Sequence, residues 1–160
     1  MDEKVYAVLE KLNISYESIK HPALFGQRDC EKYNINMNGT DCKNLFLKDS
    51  KIEEYYLVSL PLTKRLDLKL LKERLNTNRL EFAKEDVLFE KLGVKRGSVS
   101  LLNIIEVEKT AVKFVIDSEL LKSAKVCFHP NENTSTVIFK TKDIDKILDF
   151  YNVCYEYVEL

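Results

Sequence analysis

Hydrophobic residues recur every three or four positions in several stretches of the chain, and this spacing predicts amphipathic helices. The first helix begins at Asp2, which is placed as its N-cap, and ends at Asn13. Gly93 stands where a left-handed C-cap would close another helix, and Asp117 is placed to cap a short helical turn over residues 119–121. The predicted helices are residues 2–13, 28–33, 67–75, 85–92 and 142–151.

Other stretches alternate apolar and polar residues, which is the pattern of a half-buried strand. The predicted strands are residues 16–20, 44–48, 55–60, 79–83, 111–116, 125–128, 136–139 and 154–158. The second and third are joined through Asp49–Lys51 as a hairpin, and Pro61 is expected to stop the third. Hairpins and short helices without a regular βαβ repeat predict an α+β fold with a mixed, largely antiparallel sheet. We expect one domain spanning residues 1–160.

Composition places the chain among ordinary folded proteins. Its 160 residues suffice to bury a core without a disulfide or metal, and 45% of them are hydrophobic. The formal net charge of −1 argues against binding nucleic acid by broad phosphate neutralisation, so any RNA contact should be confined to a terminus. There is neither a signal-peptide pattern at the N-terminus nor an apolar run long enough for a membrane span. We therefore expect a cytoplasmic protein, with no membrane partner.

The four cysteines are Cys30, Cys42, Cys127 and Cys154, and they are scattered along the chain. They form no CxxC pair and no Cys/His cluster at ligand spacing, so we expect no metal, no cofactor and no disulfide framework. Cys42 precedes Lys43, whose ammonium could lower the pKa of the thiol. A nucleophilic role for Cys42 is disfavoured, since nothing in the sequence ties a histidine base to it.

The segment from Gly39 to Asp49 places a lysine beside a strand whose other residues have the apolar pattern of a core strand. Lys43 and Asn44 stand at the predicted mouth of this strand, where a side chain is neither free in solvent nor fully buried. An ordinary hairpin strand with an exposed lysine fits the same pattern. The segment therefore offers a candidate cation without assigning it a role.

Two later segments join this one in a recognisable order. The chain reads K-N-L-F-L from Lys43, then L-G-V-x-x-G-S-V from Leu92, then F-H-P-x-x-N-T from Phe128, with an early His21-Pro22 pair. These segments resemble the YbaK-like editing-domain family, which includes free-standing relatives of the prolyl-tRNA synthetase insertion domain. The N-terminal part of the chain is most similar to the free-standing alanine-editing branch. The resemblance extends over nearly the whole chain.

The resemblance implies a deacylase that hydrolyses the ester of mischarged aminoacyl-tRNA. Lys43 and His129 would then be catalytic, while Asn44, Gly97, Ser98 and Asn133 would bind substrate. The amides of Gly97 and Ser98 are expected to be free to serve the ester carbonyl, and His21 is expected to be structural. No Ser-His-Asp triad is apparent, and an activated ribose ester needs mainly orientation and oxyanion stabilisation. The implied partners are the aminoacylated end of proline tRNA and, as a candidate, prolyl-tRNA synthetase. We expect a monomer.

Alternatives stay open at this stage. The family includes enzymes that remove alanine and enzymes that remove cysteine from proline tRNA, and one methylene discriminates by only about 1 to 3 kcal/mol. A non-catalytic module that binds tRNA or a synthetase would share the fold. An unrelated nucleotide-binding protein lacks support, because no Gly-rich phosphate-binding motif occurs. The chain also departs from the family at Leu101, where a proline often follows the G-S-V segment, and at Asp41-Cys42.

Overall fold

The computed structural model describes residues 3–35, 37–107 and 111–160. Its helices are α1 (Glu3–Lys11), α2 (Gln27–Lys32), α3 (Leu68–Leu75), α4 (Glu85–Leu92) and α5 (Ile144–Tyr151). Its strands are β1 (Tyr16–Lys20), β2 (Thr40–Asp49), β3 (Glu54–Pro61), β4 (Leu80–Phe82), β5 (Lys113–Asp117), β6 (Lys125–Phe128), β7 (Ser135–Lys140) and β8 (Tyr155–Val158). Short 3-10 helices cover Leu101–Glu106, Ser118–Lys122 and Thr141–Asp143.

The eight strands form one sheet in the order β1-β7-β6-β2-β3-β5-β8, with β4 paired to β2. Four pairings are antiparallel, namely β1 with β7, β6 with β7, β2 with β3 and β2 with β4. The pairings of β2 with β6, β3 with β5 and β5 with β8 are parallel. The predicted α+β fold with a mixed, largely antiparallel sheet is confirmed.

The long strand β2 has an opening along one edge. Its other edge pairs continuously with β3 from Cys42 to Asp49. On the open side, β6 pairs only with Thr40 and Asp41, and β4 pairs only with Leu47 to Asp49. The two short partners leave the middle of β2, which includes Lys43 and Asn44, accessible to loops.

Apolar side chains cover both faces of the sheet, as strand alternation requires. The larger cluster includes Phe46 and Leu57 and packs against α1, α4 and α5. A smaller cluster on the other face includes Leu47, Val58 and Leu71. Residues 45–47 are therefore held from both sides, and this anchoring makes the neighbouring part of β2 a rigid support. No helix in the described part of the chain has the length and apolarity needed to cross a membrane.

Several predicted boundaries differ from the structure. Strand β2 begins at Thr40, so Lys43 and Asn44 lie inside the strand, and the prediction that they stand at its mouth was wrong. The cause is tertiary pairing, since β3 and β6 extend the ladder beyond the apolar run. Strand β3 stops at Pro61, as predicted, although Pro61 is itself the last paired residue. The predicted cap Asp2 lies outside the described residues.

One element was missed altogether. The 3-10 helix Leu101–Glu106 follows the Gly97 loop, and Ser100 and Asn103 cap it reciprocally. The backbone amide of Ser100 donates to Asn103 Oδ1 at 2.7 Å, and that of Leu102 donates to Ser100 Oγ at 3.2 Å. This Ser-x-x-Asn spacing resembles a capping box and was the signal available in the sequence.

Candidate active site

One face of the sheet gathers polar side chains at the opening of β2. Asp41 and Lys43 are two residues apart on β2 and so point to the same side. Asp41 pairs in parallel register with Cys127, and His129 follows two residues later. Because Phe128 pairs with Val137, Thr136 lies opposite His129. The sheet register therefore brings Lys43 and His129, far apart in sequence, to one face.

Lys43 is a half-buried lysine on this face of the sheet. Among the residues the structure describes, no carboxylate lies within salt-bridge distance of its ammonium. Desolvation lowers the pKa of Lys43 below the ordinary value of a lysine. An ammonium that is partly stripped of water and left uncompensated is suited to receive an anionic or polar group of a ligand.

His129 is held in one orientation by the backbone. Its Nδ1 lies 3.1 Å from the carbonyl oxygen of Ser135, and because a carbonyl only accepts, Nδ1 must donate. In the neutral ring this leaves Nε2 with a free lone pair. Burial lowers the pKa of His129, the Ser135 contact opposes that change, and nearby His21 reinforces it. A neutral imidazole that accepts at Nε2 is therefore favoured.

His21 ties the neighbouring loop to the sheet. Its Nδ1 donates to the carbonyl oxygen of Pro22 at 2.8 Å, and its Nε2 lies 2.8 Å from Thr136 Oγ1. The rings of His21 and His129 meet edge to face with centroids 6.0 Å apart. These bonds occupy both nitrogens of His21, which agrees with the structural role expected for it.

A cavity of about 40 Å³ opens beside His129. Thr136, Asp41 and Cys42 also line it. Its remaining lining is mostly apolar and consists of Leu24, Gly26, Cys30, Met37, Leu62, Cys127 and Phe128. Lys43 is not part of the lining but lies on the same strand face, two residues beyond Asp41. The cavity and the lysine are thus neighbours along β2.

Asn44 points to the opposite face from Lys43 and holds the Gly97 loop in place. Its Oδ1 accepts from Ser59 Oγ at 2.6 Å and from the backbone amide of Leu101 at 3.1 Å. A proline at position 101 has no N–H and could not make the second bond. Leu101 therefore gives Asn44 a partner that a proline at this position would remove. Only Nδ2 of Asn44 remains to donate to a ligand.

Gly97 and Asn133 lie close together, beside the segment that carries Leu24 and Phe25. Gly97 has φ +90°, and a Cβ there would lie 2.9 Å from the ring of Phe25 and 3.2 Å from Asn133 Nδ2. Asn133 Nδ2 donates to the carbonyl oxygen of Leu24 at 3.4 Å, and the amide of Leu24 returns a 3.0 Å bond to the carbonyl of Asn133. Glycine is required at position 97 by both backbone and space.

The Ser98 amide is not free. It donates to the carbonyl oxygen of Lys95 at 3.0 Å and closes the turn that carries Gly97. The prediction that this amide is available to the ester carbonyl was wrong, because the turn that positions Gly97 uses it. The side chain of Asn103, which the sequence did not single out, joins this turn to the His129 loop by donating to Ser98 O at 3.3 Å and to Asn131 Oδ1 at 2.7 Å.

Known proteins match most or all of this chain. A profile of the family described as the aminoacyl-tRNA editing domain matches residues 27–147. The chain belongs to the aminoacyl-tRNA editing-domain family. The prolyl-tRNA editing protein ProX of Acetoanaerobium sticklandii is 34% identical over 162 residues, which cover 100% of this chain and 99% of that protein. The prolyl-tRNA synthetase associated domain-containing protein 1 of Mus musculus is 34% identical over 84% of this chain and 82% of its own length.

Solved structures support the fold. The crystal structure of the hypothetical protein APE2540 has a TM-score of 0.74 at 16% identity and covers 97% of this chain and 98% of its own. A proposed trans-editing enzyme for prolyl tRNA synthetase has a TM-score of 0.72 at 17% identity and covers 99% of this chain and 96% of its own. The editing-domain match spans Lys43, Asn44, Gly97, Ser98, His129 and Asn133.

In this editing domain the site offers polar and cationic groups but no metal set. The described residues contain no group of three or more histidine, cysteine or carboxylate side chains arranged to hold a metal ion. Asp41 and Thr136 were missed as site residues from the sequence. Asp41 shares its face with Lys43 only because β2 begins at Thr40, which the sequence pattern did not show, and Thr136 required the pairing of β6 with β7.

Limiting iodoacetamide should alkylate Cys154 well before Cys42. Cys154 is exposed, whereas burial raises the pKa of Cys42, Cys127 and Cys30 and so suppresses their thiolate forms. Mass spectrometry of peptides from briefly treated protein measures the order, and the unfolded protein, in which all four thiols should react alike, is the control. A Cys42 that reacts as fast as Cys154 in the folded protein would restore it as a candidate nucleophile.

Proposed function

We propose that this protein is a trans-editing deacylase that hydrolyses the ester of alanyl-tRNA(Pro), releasing alanine and proline tRNA. The observation that carries the proposal is the placement of an uncompensated, desolvated Lys43 and a backbone-oriented His129 beside a small cavity on one face of the sheet. Membership of the editing-domain family and the similarity to a prolyl-tRNA editing protein support the reaction class.

The reaction needs little covalent chemistry from the protein. A water oxygen attacks the ester carbonyl carbon, the bond from that carbon to the ribose oxygen breaks, and a proton passes to the leaving ribose oxygen. Negative charge develops on the carbonyl oxygen in between. A positioned donor at such an oxygen contributes about 100- to 1000-fold in rate, and Lys43 is the group assigned to it. The Gly97 amide is a second candidate donor.

His129 is assigned to the proton side of the reaction. Its Nε2 carries the lone pair, so it accepts a hydrogen bond from the attacking water or from a ribose hydroxyl. Asn133 and Gly97 form the facing rim and position the terminal nucleotide. Asn44 is assigned an indirect part, since its Oδ1 is already used to hold the segment after Gly97 and its Nδ2 alone is left to donate.

The cavity supports a small side chain as the group recognised. A space of about 10 to 15 Å³ accommodates one water-sized group, so a 40 Å³ cavity takes a few such groups at most. The alanyl methyl group fits this space. The prolyl ring is closed back onto its own nitrogen, so it could enter only by moving the polar groups at the cavity mouth. A cysteinyl group is only one sulfur larger than an alanyl group, so cysteine is the competing substrate.

A charging panel tests the proposal. Proline tRNA is charged with alanine, cysteine, serine or proline, and loss of the ester is followed with and without the protein. We expect the fastest loss with alanine, and with proline a rate equal to the protein-free control. Faster loss with cysteine would transfer the proposal to cysteinyl-tRNA(Pro). No acceleration with any of the four, together with retained tRNA binding, would indicate a non-catalytic module of the same fold.

A further inference from the structure

Asp41 is an acidic side chain inside the proposed site to which the reaction assigns no role. It lies on β2 two residues before Lys43, and the two side chains therefore project from the same face. It lines the cavity together with His129 and Thr136, and it also borders the open cleft between α2 and the end of β3. Among the described residues that line the 40 Å³ cavity, Asp41 is the only acidic one.

The surroundings of Asp41 leave its charge largely uncompensated. Burial raises its pKa, while a hydrogen bond from the Cys127 thiol and the charge of His21 oppose that change. In the described part of the chain, no lysine or arginine lies within salt-bridge distance of Asp41. The pKa of Lys43 is lowered by desolvation alone, so these two neighbours do not neutralise each other. A desolvated carboxylate without a cation gains most when a ligand supplies one.

We propose that Asp41 binds the α-ammonium group of the aminoacyl ester. The inference rests on the proposed function, since it concerns the same site. In an aminoacyl ester, one carbon bears the ammonium group, the side chain and the ester carbonyl. With the side chain in the cavity and the carbonyl toward Lys43, the ammonium faces the remaining charged wall, which is Asp41. A carboxylate at hydrogen-bond distance from an ammonium forms a charge-assisted bond.

This contact selects a substrate class. A free aminoacyl-tRNA carries an ammonium, whereas an N-acylated or peptidyl-tRNA carries a neutral amide at the same atom. Placing that amide against the Asp41 carboxylate would leave the carboxylate without a cation and crowd the cavity mouth. The site would thus cleave mischarged aminoacyl-tRNA and spare tRNA whose amino group is already blocked.

Binding of a non-hydrolysable ligand tests the inference apart from catalysis. The probes are 3′-alanylamino-3′-deoxyadenosine and its N-acetyl derivative, and titration calorimetry gives their Kd values. Wild type should bind the free amine at least about 10-fold more tightly, and Asp41→Asn should bind the two probes equally. The asparagine keeps an acceptor for the Cys127 thiol, and circular dichroism checks the fold. Glu31→Gln, an exposed carboxylate on α2 beside the same cleft, is the matched control and should keep the wild-type preference.

The outcomes separate this inference from the proposed function. Equal binding of both probes by wild type, or a preference that survives in Asp41→Asn, overturns the role of Asp41 even if alanyl-tRNA(Pro) is hydrolysed. If the expected binding pattern is found but no charged tRNA is hydrolysed, Asp41 would still be assigned as the site that binds the ammonium group, and the proposed deacylase function would be refuted. If hydrolysis occurs, the ratio of kcat/KM for alanyl-tRNA(Pro) to that for its N-acetyl form should fall in Asp41→Asn, with most of the change in KM.

Discussion

Replacing Lys43 with methionine is expected to lower kcat/KM for alanyl-tRNA(Pro) by about 100- to 1000-fold, since the fixed cation at the developing oxyanion is lost. The loss should fall mainly on kcat if Lys43 contacts the carbonyl oxygen, and mainly on KM if it contacts a phosphate. Stability should be unchanged or raised, because the folded state no longer holds a desolvated ammonium. Deacylation kinetics and urea unfolding measure the two effects.

Lys48→Met is the matched control. Lys48 lies on the same strand, near its far end, and is also half-buried. Its Nζ is 3.7 Å from Glu81 Oε1. It should retain wild-type kcat/KM. A Lys43→Met variant that is folded and fully active would refute the assignment of this lysine, and equal losses in both variants would point to a general disturbance of β2.

Replacing Asp49 with alanine is expected to lower the free energy of unfolding by about 3 kcal/mol or more. Asp49 is fully buried where β2 turns into β3. Its carboxylate accepts from the backbone amides of Lys51 at 3.0 Å, Asn78 at 2.8 Å and Arg79 at 3.3 Å. Alanine leaves all three donors without this acceptor and detaches the segment that leads into β4. Urea unfolding at neutral pH measures the loss.

Asp67→Ala is the control for this prediction. Asp67 also accepts a backbone amide, that of Leu70 at 3.1 Å, but does so as the exposed N-cap of α3. Its removal should cost about 1 kcal/mol. Equal losses for the two variants would show that the burial of Asp49 and its three donors add nothing beyond an ordinary cap.

The contribution of Asp49 also depends on pH. Burial alone would raise its pKa, but the backbone amides of Asn78, Lys51 and Arg79 outweigh this and hold it below the ordinary value of 3.8. The unfolded chain therefore binds the proton first on acidification. The contribution of Asp49 to stability is complete above its unfolded-state pKa and is lost as the pH falls through its lower folded-state pKa. The stability difference between wild type and Asp49→Asn should accordingly shrink below about pH 4.

Local patterns accounted for most helices and strands because their signals lie in neighbouring residues. Gly93 closes α4 with φ +69°, as its residue type indicated, and the helix predicted to begin at residue 67 is α3, which Asp67 caps through the amide of Leu70. The start of β2 was missed for the opposite reason. Residues 40–43 are polar and carry no alternating pattern, and they are held in the sheet only by pairing with β3 and β6.

The sequence by itself determined the family and the candidate residues through its ordered motifs, and the α+β fold class through its helix and hairpin patterns. Tertiary structure alone decided how those residues are used. Parallel pairing of β2 with β6 brings Lys43 to the face of His129. Strand alternation places Asn44 on the opposite face, where its Oδ1 accepts a hydrogen bond from the backbone amide of Leu101. The Ser98 amide donates to the Lys95 carbonyl oxygen, which closes the turn, and is therefore not available to a ligand. Asp41 lies on the face that carries Lys43 and His129. The sequence specifies the residue type at each position. The face to which each side chain points, and the groups that it contacts there, depend on strands that are distant in sequence.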